Sequence, residues 1–182
     1  WGVNPYDNRR SDVNYMLCRD EAHLLRAFIA YWSNNYPDII TGWNVAFYDI
    51  PYICGRISRV LGDAELKTLS PWKAVDKKEI NIQGRVNYTY EIMGMSVVDY
   101  MDLYKRFTYT NQESYRLDYI ASVELGEKKL DHSEYENFKD FYTSDWQKFV
   151  DYNIKDVELV DRFEDKMKLI ELALTMAYDA KV

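Results

Sequence analysis

Two aspartates stand where an aspartate is costly or purposeful. Asp49 lies in Thr41 to Ile53, TGWNVAFYDIPYI, between the aromatic pair Phe47-Tyr48 and Ile50-Pro51, at the mouth of a predicted helix. Asp156 lies in YNIKD, on the apolar stripe of a later predicted helix. Tyr152 precedes it by four residues and Val160 follows it by four, so all three project to one helix face. A carboxylate among core-facing residues must be paired, hydrogen-bonded or bound to a metal, because burying it bare costs several kcal/mol. Each acid also has an ordinary reading. Asp49 is a good helix N-cap, and Asp156 can form a buried pair with a Lys or Arg. Tyr152 on an apolar stripe fits plain core, and Asn44 fits a turn after Gly42.

The elements that must hold these residues follow from periodicity and punctuation. Asp20 and EAHLLRAFIAYWSNNY read as a capped helix with Leu24, Leu25, Phe28, Ile29 and Trp32 at one-face spacing, ended by Pro37. Ile39 to Thr41 is a short β-branched strand closed by Gly42, and IPYICGRISRVLG is a helix with Pro51 in its first turn and Gly62 as its stop. Strand, loop and helix in that order belong to α/β proteins. EINIQGRVNYTYEI alternates across Gln83-Gly84 as a Lys/Arg-decorated hairpin. Ser96-Val97-Val98 reads as a strand leading into a helix, and SYRLDYIASVEL as a short helix ended by Gly126. An acidic, loop-like segment runs to Thr143. Ser144-Asp145-Trp146-Gln147 is a capping box for a last helix, whose stripe runs through Phe149, Tyr152, Val160, Phe163, Met167, Ile170 and Leu174.

Composition excludes several classes. A chain of 182 residues, 47% hydrophobic and 29% charged with 7 Gly and 4 Pro, is globular rather than disordered. It is long enough for one domain that buries about 70% of its unfolded surface. No apolar run of membrane-spanning length, signal segment or lipidation motif is present, which points to a soluble intracellular protein without a membrane partner. Two isolated cysteines, Cys18 and Cys54, and two histidines, His23 and His132, argue against structural zinc and a disulfide framework. The net charge of −7 has the wrong sign for holding duplex DNA by counterion release alone. Its distribution is uneven. From Gly55 to Arg85 seven basic residues oppose four acids, whereas from Glu124 to Asp165 thirteen acids oppose six basic residues. One region could meet phosphate and the other could hold cations; on charge alone, solvated faces are the better account of both.

GWNVAFYDIPYI resembles the second exonuclease motif of family-B DNA polymerases, and YNIKD resembles the Tyr-x-x-x-Asp of the third. SVVDYMDLYKRFTYTN between them, and YPDIITGWN before them, are similar to replicative polymerases of T-even-like bacteriophages. The resemblance runs from about Tyr15 to Lys181. It implies a proofreading 3′→5′ exonuclease domain of RNase-H-like (DnaQ-like) α/β fold, helix-rich, with a mixed sheet flanked by helices and a protruding hairpin at about residues 77–92. It implies two Mg²⁺ or Mn²⁺ ions about 4 Å apart, which activate a water and stabilise the leaving 3′ oxygen, held by hard carboxylate oxygens.

Carried over by motif position, Asp156 ligates the ion that holds the attacking water, Tyr152 orients that water, and Asp49 serves the second ion. Asn44 contacts the terminal nucleotide, with Phe47 and Tyr48 close enough to pack behind it. Lys77, Lys78 and Arg85 of the hairpin contact phosphate, although such lysines also serve as edge-strand protection. The implied partners are the single-stranded 3′ end of DNA, primer-template DNA and the rest of a polymerase chain, in the cytoplasm of an infected bacterial cell.

The family's first motif, Asp-x-Glu on a central strand, does not precede Asn44 in this chain. Asp63-Ala64-Glu65 comes after the second motif, Asp156-Val157-Glu158 is the third motif itself, and Asp99 and Asp102 do not replace the missing acids. The 182 residues are therefore expected to be a partial exonuclease domain, with WGVNPYDNRRSDVNYML at the end of a third strand and two strands upstream. A non-catalytic DNA-binding module of the same fold, and an unrelated helical interaction protein, are the competing readings. Exposed sheet edges and apolar faces are expected to draw two copies together. Light scattering at micromolar concentration is expected to give twice the chain mass, and a single-chain mass overturns that expectation.

Overall fold

The computed structural model describes residues 1–82, 84–127 and 137–181, with the backbone alone at Ile82 and Arg85. Helix α1 (Glu21–Asn34) starts where Asp20 accepts the His23 amide at 2.8 Å, and it buries Leu25 and Ile29. The β-branched run after Pro37 is strand β1 (Ile39–Gly42). Helix α2 (Asp49–Leu61) ends at Gly62, whose amide donates to the carbonyls of Ile57 and Ser58 and whose φ of 99° then turns the chain out of the helix. A single turn, α3 (Asp63–Leu66), and a 3-10 turn at Lys67–Leu69 lead into strands β2 (Val75–Ile82) and β3 (Arg85–Ile92). These pair antiparallel, Val75 opposite Ile92 and Ile82 opposite Arg85. Strand β4 (Ser96–Asp99) then lies parallel to β1, with Ile39 opposite Ser96 and Gly42 opposite Asp99. Helices follow: α4 (Tyr100–Phe107), α5 (Leu117–Leu125), α6 (Phe138–Ser144), α7 (Trp146–Met167) and α8 (Leu169–Ala180).

The chain makes two units, Trp1–Val3 with Met16–Asp99, and Asn4–Tyr15 with Tyr100–Val182. In the first, the inner faces of α1 and α2 meet Leu66, Leu69 and Ile92 in one apolar cluster that includes the fully buried Cys54 and Ile57. Burial pushes the Cys54 thiol up to about 12, so it sits there as a neutral, small hydrophobe. Trp32 and Tyr36 tie helix α1 and the residues after it to the 3-10 turn, donating to the Leu69 and Thr68 carbonyls. Among the described residues the strands form two separate two-stranded sheets, β1 with β4 and β2 with β3.

In the second unit, α7 buries Tyr152, Leu159, Val160 and Phe163. Phe163 stacks on Tyr100 of α4 with ring centroids 6.2 Å apart, and Tyr152 meets Phe141 of α6 edge-on at 5.6 Å. The one long terminal helix read from the apolar stripe is two helices. Lys168, in the left-handed region at φ 55°, ends α7 and precedes α8. Glu164 makes the break tolerable: its carboxylate accepts the amides of Ile170 and Glu171 at 3.0 and 3.2 Å, which α8 cannot satisfy within itself, and the Tyr100 hydroxyl donates to it at 3.1 Å. Burial, with the Glu164 charge second, raises the Tyr100 pKa. The stripe also misplaces its end, since Leu169 is buried and Leu174 is half exposed.

Two further expectations shift. Asp145, not Ser144, caps α7, accepting the Lys148 amide at 2.9 Å, while the Ser144 hydroxyl donates to Asp140 O inside α6. Residues read as loop before Thr143 include α6, capped by Asn137 through the Asp140 amide. The rest of that acidic segment, 128–136 with His132, lies outside the described residues, as does Gln83 of the hairpin turn.

Gly94 joins β3 to β4 at φ 91°, and a Cβ there would stand 2.7 Å from Pro71 Cγ. Gly94→Ala therefore adds a strained backbone to a clash, and it is expected to cost about 1–3 kcal/mol. Thermal unfolding checks this; an unchanged Tm overturns it.

Candidate active site

Asp49 belongs to the first unit and Asp156 to the second. In the first unit the residues between β1 and α2 form a loop, Trp43–Tyr48, that carries Asn44, Phe47 and Tyr48 up to Asp49. Asn44 has φ 63°, a left-handed conformation that Asn tolerates better than most residues. Of the six backbone polar groups of Asn44, Val45 and Ala46, five have named partners. The amides of Asn44 and Ala46 donate to Asp99 Oδ1 and Oδ2 at 3.0 and 3.1 Å. Asn44 O accepts the Tyr48 amide at 3.1 Å, and Val45 O accepts the Ile50 amide at 3.0 Å. Ala46 O accepts the Thr89 hydroxyl of β3 at 2.7 Å.

The parallel register explains why Asp99 can do this. Gly42 and Asp99 are opposite each other at the ends of β1 and β4, so the Asp99 carboxylate arrives where the loop leaves the strand. Gly42 keeps that exit narrow, because a Cβ on it would meet Val45 Cβ at 3.1 Å. Asp99 is 6% exposed.

Helix α2 begins at Asp49 itself, with Tyr48 as N-cap and no side-chain cap bond. Asp49 is thus the first helical residue and not the cap; the Tyr52 amide, which a cap at Asp49 would serve, donates to the Tyr48 carbonyl. Asp49 is exposed, as are Phe47, Tyr48 and Tyr52. Beside them opens a largely apolar cavity of about 270 Å³, lined by residues that include Phe28, Trp32, Tyr48, Asp49 and Tyr52.

The hairpin lysines have partners on the hairpin. Lys77 lies 4.0 Å over the ring of Tyr88, and Lys78 pairs with Glu91 across the strands. Both contacts are at the surface, and exposed pairs of this kind hold weakly enough to be exchanged for another ligand. Arg85 opens β3, and its side chain lies outside the described residues.

In the second unit, Tyr152 and Asp156 follow each other by one turn of α7. Tyr152 is 8% exposed inside a ring cluster of Phe138, Phe141 and Phe149, and Asp156 is half-buried with its Oδ1 shielded from solvent. Sequence reading gave no hint that residues 4–15 lie along this helix. The Tyr6 hydroxyl donates to Asp151 at 2.7 Å, Asp7 and Gln147 exchange two hydrogen bonds, and Arg10 pairs with Glu158. Trp146 Nε1 also donates to the Tyr15 hydroxyl at 3.0 Å. No local pattern marks such a segment as a partner for a helix well over a hundred residues away. On another side, Lys155 and Arg162, one on each side of Val160, both reach Glu127.

Among the described residues no group of three or more His, Cys, Asp or Glu side chains is arranged to hold a metal ion. Asp49 and Asp156 each have the hard oxygen donors that Mg²⁺ takes, and neither belongs to a complete ligand set among the described residues.

The exonuclease-domain model of DNA polymerase family B matches residues 5–120, and the chain belongs to that family. It is 39% identical over 170 residues to the DNA-directed DNA polymerase of Escherichia phage RB69 and 36% identical over 170 residues to that of Enterobacteria phage T4. Each match covers 93% of this chain and 19% of the relative. The DNA polymerase delta catalytic subunit of Caenorhabditis elegans is 30% identical over 176 residues, 90% of this chain and 16% of its own length. The chain therefore spans less than a fifth of the length of these curated relatives. Membership implies an RNase-H-like fold, in keeping with the mixed α/β, helix-rich structure, and exonuclease domains of this family use divalent metal ions. With β1 in place, the reading as an unrelated helical protein falls away.

Tyr152 packs through its ring. Tyr152→Phe is expected to leave stability within about 1 kcal/mol, whereas Tyr152→Ala is expected to cost about 3–5 kcal/mol. Urea unfolding of the two variants separates them; equal losses would show that the hydroxyl, not the ring, holds α7.

Proposed function

We propose that this chain is the proofreading 3′→5′ exonuclease domain of a phage-type replicative DNA polymerase. The observation that carries the reading is the Asn44 loop, held through its backbone so that Asn44, Phe47, Tyr48 and Asp49 follow one another at the entrance of α2. Family membership, with YNIKD in the expected order after it, supports the rest. The substrate is a single-stranded 3′ end of DNA and the reaction is hydrolysis. A water oxygen bonds to the terminal phosphorus, the bond from phosphorus to the preceding 3′ oxygen breaks, and a nucleoside 5′-monophosphate leaves. Asn44 contacts the terminal nucleotide, backed by Phe47 and Tyr48, and Tyr152 orients the water. Asp49 and Asp156 contribute the carboxylates; divalent ions, when bound, supply charge stabilisation of the phosphate.

Lys77, Lys78 and Arg85 meet primer-template phosphates, Lys77 and Lys78 by exchanging Tyr88 and Glu91 for DNA. Such a domain works within a polymerase chain, in the cytoplasm of the infected bacterium. One alternative is a module of the same fold that binds DNA without cutting it.

The 182 residues alone are expected to remove few or no 3′ nucleotides from single-stranded DNA in Mg²⁺, since the two acids of the family's first motif do not precede Asn44 in them. Clear Mg²⁺-dependent trimming that Asp156→Ala abolishes would refute this. Substituted for the matching stretch of the RB69 polymerase, the chain is expected to support trimming, and Asp49→Ala or Asp156→Ala to lower it about a hundredfold or more. A hybrid that binds the 3′ end but trims no faster than its Asp156→Ala variant points to the non-catalytic module.

A further inference from the structure

We infer that Asp99 and Thr89 are positioning residues for the nucleotide-contacting loop, fixing Asn44 through the backbone and not through contact with DNA. The inference rests on the proposed role of Asn44. Asp99 receives two amides from alternate residues of one loop, on separate carboxylate oxygens, at 3.0 and 3.1 Å. Thr89 closes the loop from β3 through the carbonyl of Ala46, whose amide Asp99 already holds. The loop is thus gripped from two strands that belong to different sheets, β4 and β3. Asn44 needs such a grip, because its φ of 63° is costly for a residue with a side chain and persists only where the surroundings impose it. Its backbone then determines where its side chain points.

The chemistry at Asp99 is specific to a carboxylate. Asn at this position offers one acceptor oxygen and an NH₂ group, so one of the two loop amides would face a donor instead of an acceptor. Asp99→Asn is therefore a nearly isosteric change that breaks one tie. Thr89→Val removes the other tie at constant shape, and Thr89→Ser restores its hydroxyl.

Two measurements on the 182-residue chain test the inference. Residue-resolved amide exchange is expected to quicken about tenfold or more at Asn44 and Ala46 in Asp99→Asn, with the amides of α1 unchanged. The second is binding of a fluorescent single-stranded oligothymidylate bearing a free 3′ hydroxyl, in chelator. Asp99→Asn and Thr89→Val are expected to weaken it about fivefold in the parent and less than twofold on an Asn44→Ala background, with Thr89→Ser close to the parent. Loss of packing alone would weaken both backgrounds alike. Unchanged exchange at Asn44 and Ala46 overturns the inference, as does a binding loss that survives Asn44→Ala. If Asn44→Ala binds as the parent does, the role given to Asn44 fails, while exchange still decides whether the loop is tied. Should Asp99→Asn unfold, Thr89→Val carries both measurements.

Discussion

A buried carboxylate at the end of a two-stranded parallel sheet is the constraint on which the first unit turns. Asp99 holds the amides of Asn44 and Ala46, and charge-assisted bonds of this kind contribute about 1.5–3 kcal/mol each. The two amides help offset the cost of burying Asp99, and the register of β1 on β4 brings the carboxylate to them. A slip by one residue would turn the Asp99 side chain to the opposite face of the sheet. Strand pairing, loop conformation and the entrance of α2 are therefore one cooperative arrangement rather than three separate features.

The second unit uses the same device with different parts. Glu164 sits on α7, yet it serves the first amides of α8 and the hydroxyl of Tyr100. In both units an acid accepts two backbone amides that no helix or strand ladder satisfies. The acids implied in chemistry are placed differently: Asp49 is the first residue of α2, and Asp156 lies in the body of α7.

What the sequence disclosed and what it hid divide along physical lines. Elements written in local signals were legible: the Asp20 cap, the β-branched strand at Ile39, the Gly62 and Gly126 stops, and the alternation through the β2–β3 pair. The motif order placed the chain in its family. Tertiary decisions were not legible. The apolar stripe of α7 continues in phase past Lys168, so nothing local announces a break that Glu164 stabilises from the preceding turns. Ser144 and Asp145 are both good caps, and the choice between them depends on α6 using Ser144 as its last residue. Nothing beside Asp99 in the sequence marks its purpose, which depends on amides 53 and 55 residues away. Asn4–Tyr15 carries no pattern that predicts its place along α7.

That last segment has a bearing on how the molecule can be dissected. The first unit claims Trp1–Val3 and the second claims Asn4–Tyr15, after which the first resumes at Met16. No single scission of the polypeptide liberates either half whole, because each is built from two separate pieces of the chain. A subclone that begins at Tyr100 would lose Tyr6, Arg10 and Tyr15 from the flank of α7, and one that stops at Asp99 would retain a dozen residues with nothing to lie against.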